Sequence, residues 1–272
     1  AYAAIWIYWA TGDENYLNDA LVLYDQTVSS EGHVNPNPFM LNYENVVPAL
    51  DLLLAKALKG TPEQKFFKEN VQSFVKTWMN TKSTTGDIYY TKKSLAKAYP
   101  YGTLQHTANA AFYVLSAAKD ILDSKFMLYA CWSRNQIGYM LGDAGRSYVV
   151  GYGGVSPAKT PHKAASCPPP DVADCTWESA YYTTDPNYTP LRGALVGGPD
   201  DDDAWSDDRD MNNPANSVSL LNTVGFSAAV AGLVNFDINM AKCQQGNGFI
   251  QNMALKVKGT PDASGQRWWE GV

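Results

Sequence analysis

Acidic side chains are concentrated in one stretch of the chain, Leu191–Arg209, which reads LRGALVGGPDDDDAWSDDR. Carboxylate oxygens are the ligands that hard cations prefer, so the run Asp200–Asp203 can be interpreted as part of a cation site, although such runs are more often solvated loops. Carboxyl groups also act as general acids and bases. The segment that follows, Asn216–Ser219, reads NSVS, and no Glu lies between Glu178 and Glu270. A serine hydroxyl is far too weak an acid to donate a proton usefully at neutral pH, so this segment supplies no proton donor.

Two histidines are candidates for contacts with a ligand. His106 lies in a helical pattern, where it is either a hydrogen-bonding group in a cleft or a structural histidine, and both interpretations stay open. His162 is followed by Lys163 in an irregular stretch of chain. Binding residues are common in such stretches, so we favour a functional role for His162.

The composition excludes some classes of partner. The 272 residues carry a formal net charge of −6, which argues against nucleic acid, because phosphate binding needs a basic face. No apolar run approaches the roughly 18 residues that span a bilayer. Aromatic residues are abundant, with 8 Trp, 17 Tyr and 9 Phe. Such rings either stack on the flat faces of sugars or fill contacts between helices, and the second is the more common use of any single ring.

Four cysteines are present, and two of them flank a proline-rich loop, CPPPDVADC. Their spacing favours a disulfide between Cys167 and Cys175, which would indicate an oxidising compartment; two free thiols are the alternative. Cys131 lies in a helical pattern and is interpreted as a small core residue. Cys243 is expected to be free or to tether another chain.

Apolar residues recur at helical spacing through much of the chain, and the fold class is therefore all-α. The chain becomes irregular and rich in Gly, Pro, Asp and Tyr from residue 142 to residue 209, and a long stretch of this kind is usually a functional surface. We expect one domain over residues 1–234 and a C-terminal extension or linker over residues 235–272. The predicted helices are Ala1–Ala10, Tyr16–Val28, Val46–Leu58, Phe66–Met79, Leu104–Leu122, Lys125–Leu141 and Val218–Leu233.

Several motifs, in this order, resemble glycoside hydrolase family 9, the inverting cellulases. The Leu191–Arg209 stretch closely resembles a signature of that family. Matching motifs elsewhere are Tyr8–Asp13 (YWATGD), Tyr101–Phe112 (YGTLQHTANAAF), Gln136–Asp143 (QIGYMLGD), Arg146–Gly153 (RSYVVGYG), Pro161–Lys163 (PHK) and Cys167–Trp177. The resemblance implies an (α/α)6 barrel, of which this chain supplies only about the second half, with long irregular loops on one rim.

The resemblance also implies a catalytic machinery that this chain lacks. Inverting hydrolysis needs one carboxyl group to protonate the leaving oxygen and a second to activate water, roughly 6.5–9.5 Å apart. The family's acid belongs to an N-E-V-A segment, whose Glu falls on Ser217. Its base belongs to a DAGD segment, and no DAGD occurs in this sequence.

Other positions are assigned by the same resemblance. The family's sugar-stacking Tyr falls on Asn222, and its HHR trio is shortened to His162-Lys163, so a bidentate guanidinium is lost. Calcium is often held in the family at positions that correspond to Thr11, Asp13, Glu14 and Glu44, although these residues also suit helix capping alone. No cofactor is implied to be required. The implied substrate-binding residues are His106, Tyr152, His162, Lys163, Trp205, Asp208, Arg209 and Asn222.

Three functions stay open from the sequence. The first is a secreted, catalytically inactive relative that binds or acts on β-1,4-glucan or a related polysaccharide. The second is an active endo-β-1,4-glucanase whose N-terminal half lies outside this chain. The third is a structural component of an extracellular assembly. A half barrel would leave apolar helix faces bare, so we expect the missing half or another chain to cover them.

Overall fold

Helices make up most of the regular structure, as the apolar periodicity predicts. The computed structural model describes residues 1–29, 38–83, 86–122 and 125–245. Each of the seven predicted helices is present, with ends within a few residues of those predicted. The helices are α1 (Tyr2–Thr11), α2 (Glu14–Ser29), α3 (Val47–Ala57), α4 (Gln64–Trp78), α5 (Leu104–Asp120), α6 (Phe126–Gly138), α7 (Lys163–Ser166), α8 (Leu220–Asn235) and α9 (Met240–Gln245). Two π-helical turns, Tyr139–Asp143 and Trp177–Tyr181, and a short β-hairpin, β1 (Tyr89–Tyr90) with β2 (Ala96–Lys97), complete the fold.

The junction between α1 and α2 shows how the sequence sets the helix ends. Gly12 adopts a left-handed conformation with φ 72°, and its N–H donates to the carbonyl oxygen of Tyr8. This is the conformation in which glycine commonly closes a helix. The Asp13 carboxylate then accepts a hydrogen bond from the backbone N–H of Asn15 at 3.0 Å, at the start of α2. Gly12 thus ends α1, and Asp13 caps α2.

Consecutive helices pack in pairs, α1 with α2, α3 with α4 and α5 with α6, while α8 packs against α5. Large rings fill the space between the pairs. The Tyr113 ring of α5 lies 4.2 Å from Phe74 of α4, and Trp78 lies 6.5 Å from Trp132 of α6. Burial of such rings is the main apolar contribution to this core. In this part of the molecule the abundant aromatics therefore serve helix packing.

One face of α8 is both apolar and exposed. Leu220 is 86% exposed, Val224 64% and Val234 65%, and α8 contains no Asp, Glu, Lys or Arg. On α1, Trp6 is 50% exposed. Apolar surface of this extent usually marks a contact with another polypeptide. Within the described residues, no helix is both long enough and apolar enough to cross a membrane.

Two disulfides are formed, and one of them corrects the sequence interpretation. Cys167 pairs with Cys175, as predicted. Cys131 pairs with Cys243, so Cys131 is not a free core residue and Cys243 is neither free nor a tether to another chain. The two residues are 112 positions apart, and only the packing of α9 on α6 brings them together. This bond attaches the chain to α6 as far as residue 243; residues 246–272 of the predicted extension lie outside the described residues.

The two disulfides are expected to contribute unequally to stability. In the loop-entropy account, closing a 112-residue loop stabilises the fold by about 4–5 kcal/mol, and closing an 8-residue loop by about 2–3 kcal/mol. The C131A/C243A double variant should therefore lower the free energy of unfolding in urea by about 2 kcal/mol more than C167A/C175A. Equal losses for the two double variants would contradict this ranking.

Candidate functional site

The irregular stretch forms a layer of loops held together by backbone pairing. Val149 bridges Leu195, and Val196 bridges Val218, both antiparallel. The carbonyl oxygen of Gly197 accepts a hydrogen bond from the N–H of Leu104 at 2.9 Å, at the first residue of α5. The layer thus places the RSYVVGYG, GGPD and NSVS segments side by side against the start of α5.

Gly197 is required by how closely these segments approach. A Cβ atom at this position would lie 1.8 Å from the carbonyl oxygen of Pro214, well inside contact distance. Only a residue without a side chain lets the backbone of the 214–218 turn lie against the 196–198 segment. The position of Ser217 therefore depends on Gly197.

The acidic run is an internal anchor for β1–β2. The Asp203 carboxylate is buried and accepts hydrogen bonds from the Thr91 hydroxyl at 2.5 Å, the Lys93 N–H at 2.9 Å and the Tyr139 hydroxyl at 2.7 Å. Asp201 is 2.7 Å from the ammonium group of Lys97, whose side chain is fully buried. Asp201 and Asp203 therefore bind groups of the protein itself, while cation binding by the run stays a prediction. Their partners lie 64 to 112 residues away in sequence, and no local pattern in the sequence indicates them.

Ser217 is tied into the turn that precedes α8. Its hydroxyl donates to the carbonyl oxygen of Pro214 at 2.9 Å, and its own carbonyl accepts from the Asn222 amide at 3.0 Å. Ser219 caps α8, since its hydroxyl oxygen accepts the Asn222 N–H at 3.1 Å. Ser217 and Asn222, the positions of the family's acid and stacking ring, both hold local backbone here.

The side chain of Asn216, the residue before Ser217, is hydrogen-bonded to the carboxylate of Asp208. The Asn216 amide nitrogen donates to the Asp208 carboxylate at 2.6 Å, and the N–H of Asp210 donates to the same oxygen at 3.1 Å. The amide oxygen of Asn216 is buried and has no hydrogen-bond partner among the described residues. Asp208 therefore acts as an acceptor that positions Asn216.

Trp205 forms part of an aromatic and cationic stack beside this turn. The Arg146 guanidinium lies 4.1 Å from the centre of the Trp205 ring, and the Tyr148 ring meets Trp205 edge-on at 6.0 Å. The indole N–H donates to the carbonyl oxygen of Ala215 at 3.0 Å. Tyr152 is half-buried in the same layer, where burial raises the pKa of its hydroxyl above the ordinary value. Trp205 and Tyr152 are thus partly accessible, as a role in binding requires.

His106 lies in the first turn of α5 with its ring against Tyr99, at 5.0 Å between centroids. Its Nδ1 atom is buried and has no hydrogen-bond partner in the described part of the chain. Burial also lowers the pKa of the imidazole to about 4. The group is consequently a neutral imidazole at neutral pH, and its contact with sugar stays a prediction. The exposed ring of Tyr99 was not identified from the sequence, although it lies two residues before the YGTLQH motif.

His162 and Lys163 are exposed at the start of α7. The Nδ1 atom of His162 accepts the N–H of Ala165 at 3.2 Å, so this histidine caps the short helix. Neither side chain is joined to Ser217 by a described hydrogen bond, and their contact with sugar stays a prediction.

Arg209 has an internal role. Its side chain is 5% exposed, and its guanidinium donates to the Asn187 side chain at 2.9 Å and to the carbonyl oxygens of Thr183 and Asp185. Asp207, which the sequence analysis did not single out, accepts the backbone N–H groups of Ala158 and Lys159 at 2.9 and 3.0 Å. The DDR segment therefore binds two neighbouring loops and fixes their position; the sugar contact assigned to Arg209 stays a prediction.

The residues of the implied calcium site form local caps. The Thr11 hydroxyl donates to the carbonyl oxygen of Ile7 at 2.8 Å and accepts the N–H of Asp13 at 3.2 Å. Within the described residues, no group of three or more His, Cys, Asp or Glu side chains is arranged to hold a metal ion. The contacts of Thr11 and Asp13 are those of helix capping, and calcium binding with Glu14 and Glu44 stays a prediction.

Comparison with known proteins identifies the family. The family model for glycosyl hydrolase family 9 matches residues 1–230. The chain belongs to glycosyl hydrolase family 9. It is 32% identical over 213 residues to endoglucanase 4 of Bacillus sp. (strain KSM-522), covering 76% of this chain and 31% of that protein. It is 31% identical to endoglucanase A of Bacillus pumilus, covering 86% of this chain and 34% of that protein.

Solved structures of the family confirm the (α/α)6 fold. The endoglucanase of the termite Nasutitermes takasagoensis superposes with a TM-score of 0.73 at 38% identity, over 86% of this chain and 50% of that chain. Endoglucanase CelQ of Clostridium thermocellum, complexed with cellotriose, gives a TM-score of 0.69 at 26% identity, over 85% of this chain and 37% of that chain. The chain thus spans half or less of these relatives and corresponds to part of the barrel.

The protonation state of His106 gives a testable prediction. Because its pKa is lowered to about 4 from the ordinary value near 6.5, the folded protein resists protonation that the unfolded chain accepts. His106 is therefore expected to reduce stability as the pH falls from about 6.5 towards 4, and to have no effect on it above about 7. The pH dependence of urea unfolding should be shallower in H106Q across that range, and an unchanged dependence would contradict the burial argument.

The internal role of Arg209 predicts a loss of stability on a conservative change. R209K keeps the charge but cannot reach three acceptors in fixed directions, which leaves buried carbonyl groups unpaired. Its free energy of unfolding should fall by about 2–3 kcal/mol. Lys163, exposed in the same loop layer, provides the control, since K163R should change stability by less than about 0.5 kcal/mol.

Proposed function

We propose that this chain is part of a family 9 domain that binds β-1,4-glucan or a related polysaccharide without hydrolysing it. The observation that carries the proposal is the state of Ser217. At the position of the family's acid, a hydroxyl donates to the carbonyl oxygen of Pro214 and is held in a turn by Asn222. Protonation of a leaving glycosidic oxygen requires a carboxylic acid, and a serine hydroxyl cannot replace it.

The family's base belongs to a segment that this chain does not include, so the proposal rests on the acid position alone. No DAGD segment occurs in the 272 residues, so this chain supplies neither partner of the carboxyl pair. The surrounding groups still suit sugar binding, since His106 keeps an unused polar atom and Trp205 and Tyr152 are partly accessible. Several relatives are endoglucanases, and CelQ was solved with cellotriose, which supports glucan as the class of ligand.

An extracellular location is part of the proposal. The two disulfides would persist in an oxidising compartment and would be reduced in most cytosols. Cys131 and Cys243 are distant in sequence, and their pairing fixes α9 on α6. We infer that the protein is secreted.

A complementary helical segment is expected to cover the apolar face of α8. Leu220 and Val224 are exposed on a helix that carries no charged residue, and α1 exposes Trp6. Either a further part of the same polypeptide or another chain would bury this surface. We infer that glucan binding is strongest when that segment is present, because the relatives are two or more times longer than the matched region.

An active endo-β-1,4-glucanase is the second candidate. It is favoured by the relatives, all the named ones being endoglucanases, and it requires that another segment supply both carboxyl groups. An extracellular scaffold is a third candidate, favoured by the exposed α8 face. The disulfide of Cys243 removes the free thiol that would have tethered such an assembly.

Two measurements on the full natural polypeptide separate these functions. Retardation in native gels that contain hydroxyethyl cellulose measures binding, and reducing-sugar release from carboxymethyl cellulose measures hydrolysis. We expect retardation without sugar release. Sugar release would establish the active enzyme and overturn the proposal. If neither retardation nor sugar release is observed, the proposal is also overturned and the extracellular scaffold is the remaining candidate.

The acid position supplies a direct prediction. S217E places a carboxyl group at the family's acid position, yet the base is still absent, so this chain should show no reducing-sugar release. S217A serves as the matched control and should bind glucan as the natural chain does, since its hydroxyl bonds only to its own turn. Turnover by S217E in this chain would refute the argument that both groups are missing.

A further inference from the structure

Three aromatic rings cluster on the surface of the loop layer, and none of them is among the substrate-binding residues that the family resemblance implies. The rings of Trp177, Tyr181 and Tyr182 lie 5.2–6.3 Å apart, and we call them the Trp177–Tyr182 platform. Trp177 is 58% exposed and Tyr182 is 69% exposed. Contiguous exposed aromatic surface is costly unless something binds to it.

The platform is mounted rigidly on both sides. The Cys167–Cys175 disulfide closes the loop that leads into it. A reciprocal capping box between Thr176 and Ser179 starts its π-helical turn, in which the Ser179 N–H donates to the Thr176 hydroxyl at 3.2 Å. The chain that leaves it is held by Arg209, whose guanidinium binds the carbonyl oxygen of Thr183 at 2.7 Å. Rigid rings lose little conformational entropy when a ligand binds, which favours a binding role over an incidental exposure.

Hydrogen bonds connect the platform to the Ser217 turn. Arg209 holds the segment that follows Tyr182, and its neighbour Asp208 accepts the Asn216 amide at 2.6 Å, next to Ser217. The platform and the degenerate acid position therefore share one scaffold of loops.

The ring types and their surroundings match a carbohydrate. Trp and Tyr combine an apolar face with a polar edge, so they contact the C–H face of a sugar and its hydroxyl groups at once. Exposed Glu178 and Asp185 lie beside the rings in sequence and offer carboxylates to such hydroxyls. A protein partner would instead be expected to bind an apolar patch without charged residues, such as the exposed face of α8.

We propose that the Trp177–Tyr182 platform is an accessory glucan-binding surface that holds insoluble polysaccharide through ring stacking. The inference rests on the proposed glucan-binding function and adds a second contact surface to it.

Partition of the full natural polypeptide onto insoluble cellulose tests the platform. The W177A/Y182A double variant should lose about tenfold in partition coefficient, because both exposed stacking faces are removed. W177F/Y182F keeps both rings and should retain most of the binding. Y188A removes an exposed ring from the same loop layer, 46% exposed, and should partition as the natural chain does.

The outcomes distinguish this inference from the proposed function. Binding of soluble cellohexaose by calorimetry should be changed little in W177A/Y182A, since no described ring contact joins the platform to His106 or Trp205. If the natural chain binds neither cellohexaose nor cellulose, the glucan assignment itself fails. If it binds both and W177A/Y182A partitions normally, the platform alone is overturned. A change in sedimentation mass with unchanged partition would instead assign these rings to a protein contact and overturn the inference.

Discussion

The candidate site depends on how closely the backbone of Gly197 lies against Pro214. A Cβ atom at Gly197 would come within 1.8 Å of the Pro214 carbonyl oxygen, so no other residue type allows this approach without a shift of backbone. The same glycine accepts a hydrogen bond from Leu104, which fixes the loop layer to the start of α5. His106, two residues further along α5, and the Ser217 turn are thereby held in one arrangement. The relative positions of these residues therefore depend on the absence of a side chain at Gly197.

Polar groups in the layer are largely used to hold loops together. Asp203 and Asp207 accept hydrogen bonds from distant backbone and side-chain groups, and Arg209 holds three acceptors. In a family whose reaction depends on carboxyl groups, this chain keeps the carboxylates that hold the loops and has Ser217 where the acid should be. These carboxylates therefore hold the loops in place, and the proposed binding function without hydrolysis rests on Ser217.

The exposed face of α8 has a different cause from the exposed rings of the platform. The α8 face is aliphatic and without charge over the whole helix, as expected of a surface that belongs inside a larger helical barrel. The platform is aromatic, flanked by carboxylates and braced by a disulfide and a buried arginine. Two apolar surfaces of one chain therefore point to two kinds of partner, a helical polypeptide and a polysaccharide.

Helix positions were predicted from the sequence alone, and the spacing of Cys167 and Cys175 favoured their disulfide over two free thiols, because each depends on residues close together in the chain. The serine at the family's acid position was an expectation from the resemblance, and no other register supplies the acid, because no Glu lies between Glu178 and Glu270. Long-range pairing was decided only by tertiary structure. Cys131 meets Cys243 across 112 residues, and Asp203 meets Thr91 because the loop layer folds back on β1–β2. No local sequence pattern predicts such contacts, because they form and stabilise the fold only after the helices have packed together.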